Sequence, residues 1–261
     1  MAAAAPVQML WVGGALSAME RLSVTSFLKN GHEVHLYTYG KPGNMPRGLE
    51  IMDAREILPE DAIFHSNDGY GKGSLTPFSE LFRYTLLFAK GGIWADIDMI
   101  CLRPLQFAAD VDYIFASKTL PQQNDPQGKI HVQVSPCLFK TPPASALMQD
   151  CIDHCRRMDL SKLALGEAGC TLLHSLVDKH QLTQAVLHPH VCCPIASWEM
   201  PALLGPASVL PPETHAVHCW HEHWRRNFFD KNADYDPLSL YQRLKNHFLG
   251  RKETPDRKET H

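Results

Sequence analysis

The chain has 261 residues, 44% of them hydrophobic, and a formal net charge of −3. That is enough apolar material for one substantial core, and the slightly acidic balance excludes the strongly basic face of a dedicated nucleic-acid binder. No run approaches the roughly 18 uninterrupted apolar residues that a membrane span needs.

The amino terminus lacks a basic stretch followed by an apolar core, so no secretory signal is read there. A cytoplasmic location is expected, with room only for peripheral contact at the inner face of a membrane. The eight cysteines include the adjacent Cys192 and Cys193 but no C-x-x-C pair, and free thiols are expected. Cys151 and Cys155, one helical turn apart, are expected to pack in the core.

Residues 7–12 are a short apolar run closed by Gly13-Gly14, a first strand and turn. Ser17 opens a helical pattern that Asn30-Gly31 ends. Residues 33–39 alternate as a second strand, which completes a right-handed βαβ unit. Ligands of such sheets bind beyond the carboxyl ends of the strands, so Trp11, Val12 and Gly13 fall beside a candidate site. Residues 49–54 read as an edge strand. Residues 65–78, with Gly69, Gly71 and Gly73, read as a loop entering the next helix.

Residues 79–105 organise the chain. Leu81, Tyr84, Thr85, Phe88 and Ala89 recur at helical spacing. Gly91-Gly92 ends that helix, and residues 93–95 have the character of a buried strand. Asp96 and Asp98 follow at alternate positions. Two hard oxygen ligands at a strand end suit a divalent cation and the phosphates it carries. Glu80 and Arg83, three residues apart, share one helix face.

Further on, residues 113–116, 131–134 and 137–140 read as strands, the last at an edge, with a polar loop over 118–129. Residues 144–158 are helical, and 166–177 are a glycine turn opening another helix. Residues 186–212 read as an irregular excursion anchored by Trp198. Residues 216–226 pass from a strand into a cluster holding His218, His221, His223, Trp220, Trp224, Arg225 and Arg226. A short amphipathic helix ends near Leu249. One domain over 1–250 is expected, followed by a polar, disordered tail over 251–261.

The run Glu80-Leu81-Phe82-Arg83-Tyr84, followed by Gly91-Gly92-Ile93-Trp94-Ala95-Asp96-Ile97-Asp98, resembles the DXD-containing sugar-binding region of the GT32-type glycosyltransferases. That group holds bacterial capsule and lipopolysaccharide enzymes and yeast mannosyltransferases, with clostridial glucosylating toxins as more distant relatives. The resemblance is densest over 76–105. It implies a GT-A-like α/β fold with a mostly parallel central sheet flanked by helices. It implies transfer of a sugar from a nucleotide diphosphate, UDP-sugar favoured, to a glycan or lipid-linked saccharide, with retention at the anomeric carbon. Mn²⁺ or Mg²⁺ is the implied cation, held by Asp98 and His218 with Asp96. Asp96 would also orient the ribose or donor sugar, Arg83 would meet the diphosphate or sugar, and Glu80 would fix a donor hydroxyl. Trp11 would stack on the base beside Val12 and Gly13. His223 and Trp224 would grip the leaving phosphate, and the segment holding Glu167 would border the donor-sugar and acceptor side. Two other readings stay open, a catalytically silent nucleotide-sugar-binding protein and a toxin-like enzyme that glycosylates a protein.

Overall fold

The structure is a computed structural model that describes residues 5–67, 69, 71–121, 131–164, 166–206 and 209–250. The expected tail over 251–261 and most of the expected loop over 118–129 lie outside the described residues. The strands are β1 (Val7–Trp11), β2 (Val34–Thr38), β3 (Glu50–Asp53), β4 (Gly92–Ala95), β5 (Met99–Cys101), β6 (Ile114–Thr119), β7 (Val132–Thr141) and β8 (Ala216–His218). Six of them form one sheet in the order β3-β2-β1-β4-β7-β6, while β5 and β8 make a separate ribbon. The pairs β1–β2, β2–β3 and β1–β4 are parallel, and β4–β7 and β6–β7 are antiparallel. The helices are α1 (Ala18–Lys29), α2 (Thr76–Lys90), α3 (Ala146–Arg156), α4 (Leu172–Lys179), α5 (Pro189–Cys192), α6 (His221–Arg226) and α7 (Leu240–Leu249). This is the α/β architecture expected from the sequence.

Side chains alternate across a strand, and both sheet faces are covered. Val7, Met9, Val34, Leu36, Ile93 and Ala95 join one apolar cluster with Met19 and Phe27 of α1 and Tyr241 and Phe248 of α7. Leu10, Tyr37 and Trp94 point the other way, into a second cluster with Phe82 and Leu86 of α2, Leu147 of α3 and Leu173 of α4. Burial on both faces is why β1 and β4 read as short continuous apolar runs. Ser17 and Glu20 form a capping box that starts α1 where the sequence pattern begins.

Three expectations are corrected. Residues 131–134 and 137–140 belong to one strand, β7, which lies inside the sheet between β4 and β6. Pro136 disguised it, because proline lacks the ladder N–H and normally interrupts a strand. It is tolerated here beside the register shift between Phe115 and Ser117 of β6. In α2 the buried face holds Phe78, Phe82, Leu86 and Leu87 together with Glu80, Arg83 and Tyr84. Leu81, Thr85 and Phe88 are only half-buried and Ala89 is exposed. A helix this apolar offers two stripes, and the buried one carries Glu80 and Arg83 toward the sheet end. Trp198 is 44% exposed and is not the buried anchor of this excursion. Trp220 does that work, donating its indole N–H to the Ile195 carbonyl at 2.9 Å. Among the described residues, no helix is long and apolar enough to cross a membrane.

The turn from α2 into β4 has a strict steric requirement. Gly91 sits at φ 63°, ψ −163°, a region only glycine enters cheaply. A Cβ there would lie 2.5 Å from the Pro143 nitrogen. Gly91→Ala is expected to cost about 2 kcal/mol or more, read as a lower midpoint in urea unfolding. A midpoint equal to that of the parent would show that the turn relaxes freely.

Candidate active site

The carboxyl ends of the parallel strands β1 and β4 open into a cavity of about 370 Å³, within the range of small-molecule sites. β4 ends at Ala95, so Asp96-Ile97-Asp98 forms the turn into β5 rather than a strand. Asp96, Asp98 and His218 each bring one ligand atom to a group spanning no more than 4.8 Å. Two chain segments 120 residues apart therefore meet here, through the β5–β8 ribbon in which Met99 pairs with His218.

Asp98 is not a solvated acid. It is buried and accepts from the His221 backbone N–H at 2.7 Å, with His218 Nε2 at 3.3 Å. Burial is the largest single influence and opposes its ionisation, but the His218 imidazole and the His221 N–H together outweigh it and hold the carboxyl well below the usual range. The same pairing raises His218 against its own desolvation. Asp96 behaves oppositely. Burial pushes its carboxyl up, Arg83 pulls it down, and Asp98 adds repulsion, with the net shift upward. Its side chain keeps 23% exposure and accepts from the Trp94 indole N–H at 2.8 Å.

Arg83 is buried and largely committed within the protein. It meets Asp96 at 3.0 Å, the Pro136 carbonyl at 2.6 Å, and the Ser79 carbonyl and hydroxyl at 3.2 Å. These contacts engage most of its five N–H donors. Its guanidinium also lies 5.0 Å from the Trp94 ring centre. Glu80 is 3% exposed, and burial, only partly offset by Arg83, lifts its carboxyl to about 7. It is wedged against Gly169, where any Cβ would overlap the carboxylate. Gly169 belongs to a π-helical turn, Glu167–Thr171, ahead of α4, and such turns recur at functional sites. Glu167 itself turns away to accept the Ala164 N–H at 3.1 Å.

Trp11 and Val12 line the cavity. The Trp11 indole donates to the Gly14 carbonyl at 2.9 Å, and Gly13 lies against its ring. His223 also lines the cavity. Trp224 does not. It is fully buried, donates to the Cys219 carbonyl at 2.8 Å and packs on Phe229, Tyr235 and Tyr241. It cannot grip a phosphate. Trp220 faces the cavity in its place, in the left-handed region at φ 59°, with its ring centre 3.9 Å from that of His218.

Lys118, Glu222 and Arg225 also line the cavity, and sequence reasoning assigned them no role. Lys118 shares the period-two face of Ile114 and Ala116, a signal available had the strand been drawn longer. Glu222 accepts from the Ser74 hydroxyl at 2.9 Å and from Arg225 Nη2 at 2.9 Å, tying the loop before α2 to α6. Nothing in the spacing of Ser74 and Glu222 announces that contact.

An α/β sheet with paired acids at its strand ends, in a cavity shared with an aromatic residue, has the donor groups that a cation-bound anionic ligand needs. Residues 45–124 match the family described as "Glycosyltransferase sugar-binding region containing DXD motif", a match over less than half of the chain. The match holds Glu80, Arg83, Asp96 and Asp98, and omits Trp11 and His218. No curated protein matches the chain. Among solved structures, PaToxG glycosyltransferase is similar at 13% identity with a TM-score of 0.42, over 70% of this chain and 75% of that one. A doubly substituted transferase is similar at 11% identity with a TM-score of 0.40, over 67% and 85%.

Glu80 carries a pH prediction. Its carboxyl titrates near 4.5 when unfolded and at about 7 when folded. Between those values the native state holds a proton that the unfolded chain has released, so stability falls as pH rises through the window. Glu80→Gln is expected to remove a slope worth about 3 kcal/mol in total, measured by urea unfolding at pH values bracketing the window. An unchanged slope would assign it to other groups.

Proposed function

We propose that the chain transfers a sugar from a nucleoside-diphosphate donor, with UDP as the favoured nucleotide, to a glycan or lipid-linked saccharide with retention. The observation that carries this reading is the meeting of Asp96, Asp98 and His218 at a cavity that Trp11 also lines. Two carboxylates and an imidazole are a fitting donor set for Mn²⁺ or Mg²⁺. When bound, such an ion would stabilise the charge that grows on a departing diphosphate. Asp98 and His218 are the intended holders, with Asp96 beside them.

Arg83 and Trp94 fix the Asp96 carboxylate, so Arg83 acts by orientation more than by reaching the diphosphate. Glu80, held near neutrality, can exchange a hydrogen bond with a donor hydroxyl. Its confinement against Gly169 argues against a covalent nucleophile and favours return of the acceptor on the face the diphosphate leaves. His223 and Trp220, rather than Trp224, suit the wall that excludes water from the donor. Trp11 suits a base, because stacking tolerates any base.

Donor turnover measured with Mn²⁺ and after chelation tests the reading, and separates it from a silent binding protein. Asp98→Asn is expected to abolish Mn²⁺-dependent turnover and to lower stability by about 3–5 kcal/mol, since it leaves His218 without its buried partner. A folded variant with normal turnover would sink the assignment. Trp11→Ala is expected to weaken donor binding by about 1–3 kcal/mol in calorimetry and leave the melting temperature nearly unchanged. Equal donor affinity would remove Trp11 from the site.

A further inference from the structure

We infer that the wall of this cavity holds a second, chemically distinct site: Cys137, Cys193 and His218 form a preformed site for a thiophilic divalent cation of the zinc class. The two sulfurs are 3.5 Å apart, and one atom from each of the three residues falls within a group no wider than 4.8 Å. All three side chains are buried. Tetrahedral zinc with bonds of about 2.3 Å to sulfur and about 2.0 Å to nitrogen sets neighbouring ligands roughly 3.5–3.8 Å apart. The sulfurs therefore need to move by only a few tenths of an ångström.

The second observation is the imidazole. His218 turns Nε2 to Asp98, while its Nδ1 is buried without a hydrogen-bond partner. A buried polar atom left unpaired is costly, and metal ligation would satisfy it. The Cys137 and Cys193 sulfurs lie beside this ring. Core thiols elsewhere differ. Cys151 and Cys155 lie among the apolar residues of α3 and belong to no such group.

The ligand types select the ion. Two sulfurs and one nitrogen favour zinc over the hard cations suited to Asp96 and Asp98. Binding expels the two thiol protons and any proton that His218 carries on Nδ1, giving two thiolate bonds and one imidazole bond to the metal. Cys137 and His218 line the cavity, which gives the ion an entry path and leaves a fourth position for water. One imidazole thus stands between a soft and a hard donor set. The site depends on this geometry and not on the transfer reaction proposed above.

Cobalt(II) is the probe, added to the reduced, metal-free full chain. A thiolate-to-cobalt charge-transfer band saturating at one equivalent and bleached by zinc is expected. Cys193 does not line the cavity, and Cys193→Ser should weaken cobalt binding at least tenfold. Cys151→Ser, in α3 and outside both donor sets, should keep the band. No band in the parent, or an undiminished band in Cys193→Ser, would overturn the site. Should that variant fail to fold, zinc-edge absorption on the zinc-loaded parent decides: two sulfur neighbours support the site, and a shell of nitrogen and oxygen alone overturns it.

Discussion

The site depends on how one buried carboxylate is paid for. Asp98 lies in the interior, where an unpaired charge is expensive. It is stabilised by His218, by the His221 N–H, and at its own carbonyl by the Cys219 N–H at 3.0 Å. All three partners come from the far end of the chain. The Asp98 end of the turn after β4 is therefore held by β8 and the start of α6. The DXD block forms the middle of the site, but its charge balance is completed more than a hundred residues away. The short β5–β8 ribbon, separate from the main sheet, fixes the register that brings His218 to Asp98.

Around that pair the acids are driven apart by their surroundings. Asp98 stays ionised beside an imidazole, whereas Asp96 and Glu80 are raised by burial that Arg83 offsets only in part. Groups of the same type are thus prepared for different tasks by environment. Arg83 is the centre of this division. Its contacts with Asp96, Pro136 and Ser79 leave Glu80 without a strong counter-charge. The cation stacked near Trp94 is therefore a structural organiser as much as a wall of the cavity.

The parts of this arrangement legible in sequence are those with local causes. The βαβ unit followed from alternation and glycine stops, and Asp96 and Asp98 from their place after a buried apolar strand. Trp11 stood out by lying at a strand end. Long-range causes were invisible. Trp220 and Trp224 are four residues apart in one cluster, and spacing alone cannot say which faces the cavity. The backbone decides. Trp220 takes a left-handed conformation at the start of α6, which leaves Trp224 on the face that packs against α7. Pro136 hid a central strand for a related reason, because its tolerance depends on a bulge in the neighbouring strand.

Gly169 shows how far such dependence reaches. In sequence it is one glycine in a turn that opens a helix. In the fold it gives the Glu80 carboxylate room that no other residue would leave, so a glycine on one segment sets the position of an acid on another. The π-helical turn brings the backbone of residues 167–171 close to α2, and Tyr84 fastens it there by donating to the Ala168 carbonyl at 2.9 Å. Glu80 is then enclosed on all sides except the cavity that it lines. The same enclosure that raises its proton affinity removes the freedom a nucleophile needs to approach a reacting carbon. Burial and confinement are one physical fact here, since both follow from the packing of Gly169 and the turn that Tyr84 holds in place.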